Sequence, residues 1–175
     1  MARSKSDISN AAIRIFLQEV GRVYDDSRGF AHYRSSRTQK QELLELFDHT
    51  CCYCGASIDL TSMSEDHMIP INKKELGLHC WGNIVPSCGK CNDTKHLKHW
   101  EKYLSIVCTG KNKEYSARRS KLLSFVEKYR YQPDTQLQSI ASHLYEDVGE
   151  VASTLIRLRL KQAEDQIQKT HHERS

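Results

Sequence analysis

No stretch of this 175-residue chain approaches the roughly 18 consecutive apolar residues a membrane helix needs, so an integral helical membrane protein is excluded. Proline (three) and glycine (eight) are scarce, which excludes a collagen-like or linker-dominated chain. Residues 1–16 carry basic side chains but no uninterrupted apolar core ahead of a small-residue cleavage site. No secretory leader is therefore expected, and the expected location is cytoplasmic. A strong charge excess is lacking too: 26 Lys and Arg stand against 22 Asp and Glu, and a net +4 does not by itself point to nucleic acid. The apolar share of 38% lies below the globular norm, which predicts one modest core with exposed helical surface.

Cysteine, by contrast, is plentiful, and its count of seven is odd. A secreted disulfide framework favours an even number in a shorter chain behind a leader. These thiols are therefore expected to be reduced and available to a metal. The charge is also unevenly placed: residues 85–130 hold 11 basic and 4 acidic groups. A basic stretch beside a candidate site reads as a phosphate footprint.

Helical periodicity opens the chain, with Ile8, Ala11, Ala12, Ile15 and Phe16 at i, i+3, i+4 spacing and Gly21 as the stop. Residues 25–29 read as a turn. Thr38 with Gln41 reads as a capping box opening a second helix, which carries Leu43, Leu44, Leu46 and Phe47 and ends near residues 48–50. From Cys51 to Cys91 helical periodicity is lost, and apolar runs at 58–60, 68–71 and 83–85 allow two or three short strands. Helix returns after Asn92, with Leu97, Trp100, Leu104 and Val107 on one face. Another helix carries Tyr115, Leu122, Phe125, Val126 and Tyr129 and stops before Pro133. Asp134 reads as the cap of a last helical stripe, Leu137, Ile140, Ala141, Leu144, Tyr145 and Val148, continued by Val151, Leu155 and Leu158 into a polar tail. That stripe suits packing within the chain or a homodimer through the C-terminal helices. The expected division is an N-terminal helical segment 1–50, a core 51–108 and a C-terminal helical region 109–175.

Two Cys-x2-Cys spacings stand out, Cys51 to Cys54 and Cys88 to Cys91. Zinc takes four soft ligands at tetrahedral corners, and each such knuckle presents two thiolates on a tight turn. Gly55 follows the first pair and Gly89 lies inside the second, where crowded backbone favours a residue without a β-carbon. The 33 residues between the knuckles exceed the usual zinc-ribbon interval and imply an inserted element. Cys52 could replace Cys51 at a poorer spacing; with Cys80 and Cys108 it reads as a core thiol. Four thiolates leave zinc no open position, so the ion is structural and the chemistry lies elsewhere.

The insert reads Glu65-Asp66-His67-Met68-Ile69-Pro70, then Trp81-Gly82-Asn83-Ile84-Val85-Pro86-Ser87, and the second knuckle runs on into Asn92-Asp93-Thr94-Lys95. Asp-His-x-x-Pro and Asn-Ile-Val-Pro-x-Cys-x-x-Cys-Asn-x-x-Lys, framed by Cys-x-Tyr-Cys-Gly, resemble the HNH endonuclease module, also called the ββα-metal fold, over about residues 51–100. The fold class expected is mainly α with a small zinc-bound ββα-metal core, α+β overall.

The residue chemistry agrees with that resemblance. Phosphodiester hydrolysis needs an activated water, a cation for the developing charge and a hold on the phosphate. An imidazole at His67 can accept a proton from water at neutral pH. Asp66 and Asn92 are oxygen donors of the kind Mg²⁺ or Mn²⁺ prefers, and two protein ligands leave positions for water and phosphate. Asn92 is expected to open a helix with Lys95 one turn later, both near its anion-favouring N-terminus. The resemblance implies His67 as general base, Asp66 and Asn92 as ligands of the catalytic metal, Asn83 as the residue that supports the loop and orients the base, and Lys95 as a phosphate contact. Consecutive strand residues face opposite ways, so either the backbone near Asp66 and His67 is irregular or the metal lies over the strand's edge.

Lys90, Lys98, Lys102, Arg118 and Arg119 are the expected nucleic-acid contacts. The expected function is a metal-dependent endonuclease cutting DNA, with duplex as partner and a restriction-type or defence role in a bacterium or phage. The competing reading is a non-catalytic, zinc-stabilised nucleic-acid-binding module.

Overall fold

The computed structural model describes residues 5–132 and 136–172. Pro133 and Asp134, the expected stop and cap, lie outside the described residues. Helix α1 (Lys5–Ser27) buries Ser9, Ile13, Leu17, Gly21 and Asp25, a strict i, i+4 stripe. It departs from its sequence pattern twice. Ile15 is 61% exposed, because the docked face lies one position away from the expected one. Gly21 does not stop the helix. A Cβ there would overlap the His79 carbonyl, so glycine is what lets α1 approach the 76–80 loop. The helix continues to Asp25, whose buried carboxylate accepts from the Tyr33 and Trp81 N–H groups at 3.1 Å each and pairs with Arg28 at 2.7 Å.

Helix α2 (Arg37–Leu46) is opened by Ser36, whose side chain accepts from the Gln39 N–H. The capping box is thus Ser36–Gln39, and Thr38–Gln41 lies inside the helix. Ser36 has the extended backbone an N-cap needs, and the Gln39 amide also donates to the His32 carbonyl at 2.8 Å.

Strands β1 (Met63–His67) and β2 (Ile84–Cys88) pair antiparallel, Met63 opposite Cys88 and His67 opposite Ile84. The 58–60 run forms no strand; a single bridge between Thr50 and Ser57 closes the first knuckle instead. Strand β2 feeds directly into α3 (Gly89–Lys95), completing a ββα unit. Asn92 is therefore the fourth residue of this short helix and Lys95 its last, so neither lies at an N-terminus. His96 at φ 49° ends α3, and His99 caps α4 (Trp100–Val107). Leu97, stranded between the two helices, is exposed while Trp100 and Leu104 are buried.

Helix α5 (Asn112–Lys128) buries Leu122 and Phe125 against α2 and the knuckles. Helix α6 (Leu137–His172) lays Ala141, Leu144 and Tyr145 beside Ile13 and Leu17 of α1. That is the intramolecular use of its stripe; Val151, Leu155 and Leu158 farther along are more than half exposed. One apolar cluster joins residues of α2, the knuckles, β2, α4 and α5, and a second joins α1, α6 and the 76–80 loop. The ββα unit packs into the first cluster through Ile84, Val85 and Cys91, and Ile69, just after β1, touches both. No helix among the described residues is long and apolar enough to cross a membrane.

Candidate metal centre and cleft

The first knuckle is a tight turn in which Cys51 N–H donates to the Ala56 carbonyl and Gly55 N–H to the Cys51 carbonyl. Gly55 takes φ 74°, a left-handed conformation that a side chain disfavours. The second knuckle is the junction of β2 and α3. Together they bring the sulfurs of Cys51, Cys54, Cys88 and Cys91 within 4.8 Å of one another. Cys54 and Cys88 Sγ lie 3.7 Å apart. A tetrahedral ion with Zn–S bonds of about 2.3 Å spaces its sulfurs about 3.8 Å apart, so the donor set and its size both fit zinc. Cys52, Cys80 and Cys108 are buried in the apolar clusters, outside this group of four.

On the other side of β1 and α3 opens a cleft of about 540 Å³, lined among others by Arg14, Glu65, Asp66, His67, Asn92 and His96. Asp66 and His67 both reach it although consecutive, since β1 ends at His67 and the chain leaves the sheet toward Pro70. The Asp66 carboxylate is buried. Its Oδ2 accepts from the Tyr53 hydroxyl at 2.6 Å, and Lys95 Nζ lies 3.2 Å from Oδ1 and 3.1 Å from Oδ2. Burial pushes Asp66 up and Lys95 down, and each partner's charge opposes the other's shift. Oδ1 keeps a lone pair for a cation, so Asp66 suits a single-point ligand, and Asn92, lining the same cleft, offers a second oxygen.

Lys95 is not where a phosphate contact would be. Its side chain is fully buried, and Nζ also donates to the His67 carbonyl at 2.6 Å. The reason is its place at the end of α3, on the face turned toward β1. It positions the Asp66-His67 pair from beneath.

His67 Nε2 lies 3.1 Å from His79 Nδ1, so one ring donates to the other. Burial first, then the neighbouring His79, Lys95 and Arg14, push the His67 pKa down to about 3, so its imidazole is neutral at ordinary pH. Asn83 is fully buried and clamps the loop. Its Oδ1 accepts from Ile69 N–H at 2.8 Å, and its Nδ2 donates to the Ile69 and Leu78 carbonyls at 3.1 and 2.8 Å. His79 packs edge-on against Tyr33 and thus sits in a fixed frame.

The basic stretch divides. Lys90, Lys98 and Lys102 are all exposed to solvent. Arg118 is not free for nucleic acid: it donates to the Tyr53 carbonyl at 2.8 Å and contacts Cys108 Sγ, bracing the first knuckle. Arg119 pairs with Glu101 at 2.8 Å.

Sequence reasoning missed three residues of the site. Tyr53 had a signal, an aromatic inside the first knuckle. His79 and Arg14 had none, because neither has a spacing that relates it to Asp66 or His67. Residues 51–98 match the family model described as HNH endonuclease, so this segment is an HNH-type domain with its ββα core and four-cysteine cluster. No curated protein matches the chain.

Proposed function

We propose that the chain is a metal-dependent endonuclease that hydrolyses phosphodiester bonds of double-stranded DNA, in a restriction-type or defence role. The observation that carries this reading is the convergence of Asp66, His67 and Asn92 on one cleft beside a cluster of four cysteines. Zinc on the four thiolates holds the two knuckles together, with no coordination position left for substrate. Asp66 and Asn92 are the residues that would hold Mg²⁺ or Mn²⁺, which supplies charge stabilisation at the phosphate.

The chain's own contributions follow from the contacts above. His67, neutral and facing the cleft, takes the proton of the attacking water. His79 holds the His67 ring from behind through the 3.1 Å contact, and Asn83 holds the loop that carries Ile69 and Leu78. Tyr53 and Lys95 keep the Asp66 carboxylate from turning away. Lys90, Lys98 and Lys102 supply positive charge for flanking phosphates.

The test is end-mapping of products from a mixed DNA library incubated with zinc-loaded protein and Mg²⁺ or Mn²⁺. Cleavage that falls by about 10²–10⁴-fold in His67→Ala is the expected result for loss of a general base. An absence of cleavage under any metal would sink the proposal in favour of a binding-only module, and cleavage by His67→Ala equal to the parent's would sink the assignment of His67 as the base.

A further inference from the structure

Lys95, the expected phosphate contact, is fully buried against Asp66 and the His67 carbonyl, so the cleft's hold on phosphate must come from elsewhere. Of the residues lining the cleft, Arg14 is the one with a permanent positive charge, and it forms no ion pair with any of the described residues. The two carboxylates at the cleft floor are already neutralised. Glu65 pairs with Lys40 at 3.3 Å and accepts from the Tyr33 hydroxyl, and Asp66 pairs with Lys95. Nothing in the cleft competes with phosphate for the Arg14 guanidinium except the exposed Asp93 at its rim.

The position of Arg14 is set by how α1 docks. Ile13 and Leu17 are buried, and Gly21 lies against the His79 carbonyl. Arg14 is seven residues before Gly21, which places it on the same helix face about 10 Å along the axis. The face that touches the loop behind His67 therefore continues to the cleft. A guanidinium presents a planar fork of donors that matches two phosphate oxygens at once.

We propose that Arg14, on a helix outside the 51–98 family match, anchors a phosphate of the DNA strand lying in the cleft. The HNH-type segment alone then lacks its phosphate anchor, and the N-terminal helix is part of the nucleic-acid site. This inference rests on the nuclease reading for its cleavage consequence but not for its binding consequence.

The test pairs binding with cleavage, using full-length, zinc-loaded protein. Binding to a fluorescent DNA duplex is measured by anisotropy across a salt series with no Mg²⁺ or Mn²⁺ added, for the parent and for Arg14→Ala, Arg14→Lys and Arg157→Ala. Arg14→Ala is expected to lower the log–log salt slope by about 1, as loss of one phosphate contact requires. Arg14→Lys retains most of the slope, and Arg157→Ala, an exposed change on the outer half of α6, matches the parent. Cleavage by Arg14→Ala is expected to fall at least ~10-fold in kcat/KM. A parental slope and affinity in Arg14→Ala overturns the inference, as does a chain that binds no duplex. Inactive His67→Ala beside a parent-like Arg14→Ala leaves the nuclease reading standing and removes only the anchor. An absence of cleavage by the parent removes the nuclease reading, and the salt slope still decides Arg14.

Discussion

At the scale of single residues, the most consequential contact is the Lys95–Asp66 pair. Both groups are nearly inaccessible, and each is the other's compensating charge. A buried ion pair contributes little over an apolar pair of the same shape, but removing one partner strands the other charge. Lys95→Met is therefore expected to destabilise the fold by about 3–5 kcal/mol. Adding Asp66→Asn, which neutralises the stranded charge, should recover about 1–3 kcal/mol in a double-mutant cycle measured by urea unfolding. Simple additivity of the two changes would mean the pair is not coupled. Asn83 belongs to the same scale. Its identity in the sequence motif pointed to loop support, and its three hydrogen bonds to Ile69 and Leu78 are what that support consists of.

At the scale of elements, legibility in the sequence followed how local the determining contact is. The two knuckles, the loss of helical period between them and the return of helix after them are local patterns. The structure has its sheet and its α3–α5 helices in those places. The errors occurred where a neighbour overrode the pattern. Gly21 reads as a helix stop because glycine costs conformational entropy in a helix, yet α1 runs through it because a distant carbonyl needs the space. Gly21→Ala tests which effect wins. Helix propensity alone favours alanine by about 1 kcal/mol. Overlap with the His79 backbone is expected to cost more, for a net loss of about 1–3 kcal/mol in thermal or urea unfolding. A variant as stable as the parent would show that α1 can back away from the loop. The same lesson applies to the capping box, where both Ser36 and Thr38 have the right chemistry and only the backbone of Ser36 has the right angles.

At the scale of the whole molecule, the four-cysteine cluster joins segments 34 residues apart in the chain, and the larger apolar cluster is built around it. Zinc binding is thus folding free energy for that cluster. One zinc per chain is expected by elemental analysis. Its removal by a strong chelator should abolish cooperative unfolding and expose Trp81 and Trp100, only 4% and 7% accessible in the fold, to fluorescence quenchers. Because cysteine thiols must lose their protons to bind, zinc retention should weaken as pH falls. A chelated protein that still unfolds cooperatively with its tryptophans protected would contradict this.

The amino-acid sequence alone picked out the four cysteines that cluster and the Asp66, His67 and Asn92 that line one cleft, because each is carried by residue type and short spacing along one stretch. Only the tertiary structure decided the fate of the long basic side chains. Lys95 is buried under Asp66, Arg118 is braced on Tyr53, and Arg14 arrives at the cleft from a helix far upstream in the chain. Charge is visible in a sequence, but whether a charge meets a partner or solvent depends on which surfaces pack together, and those contacts are not local.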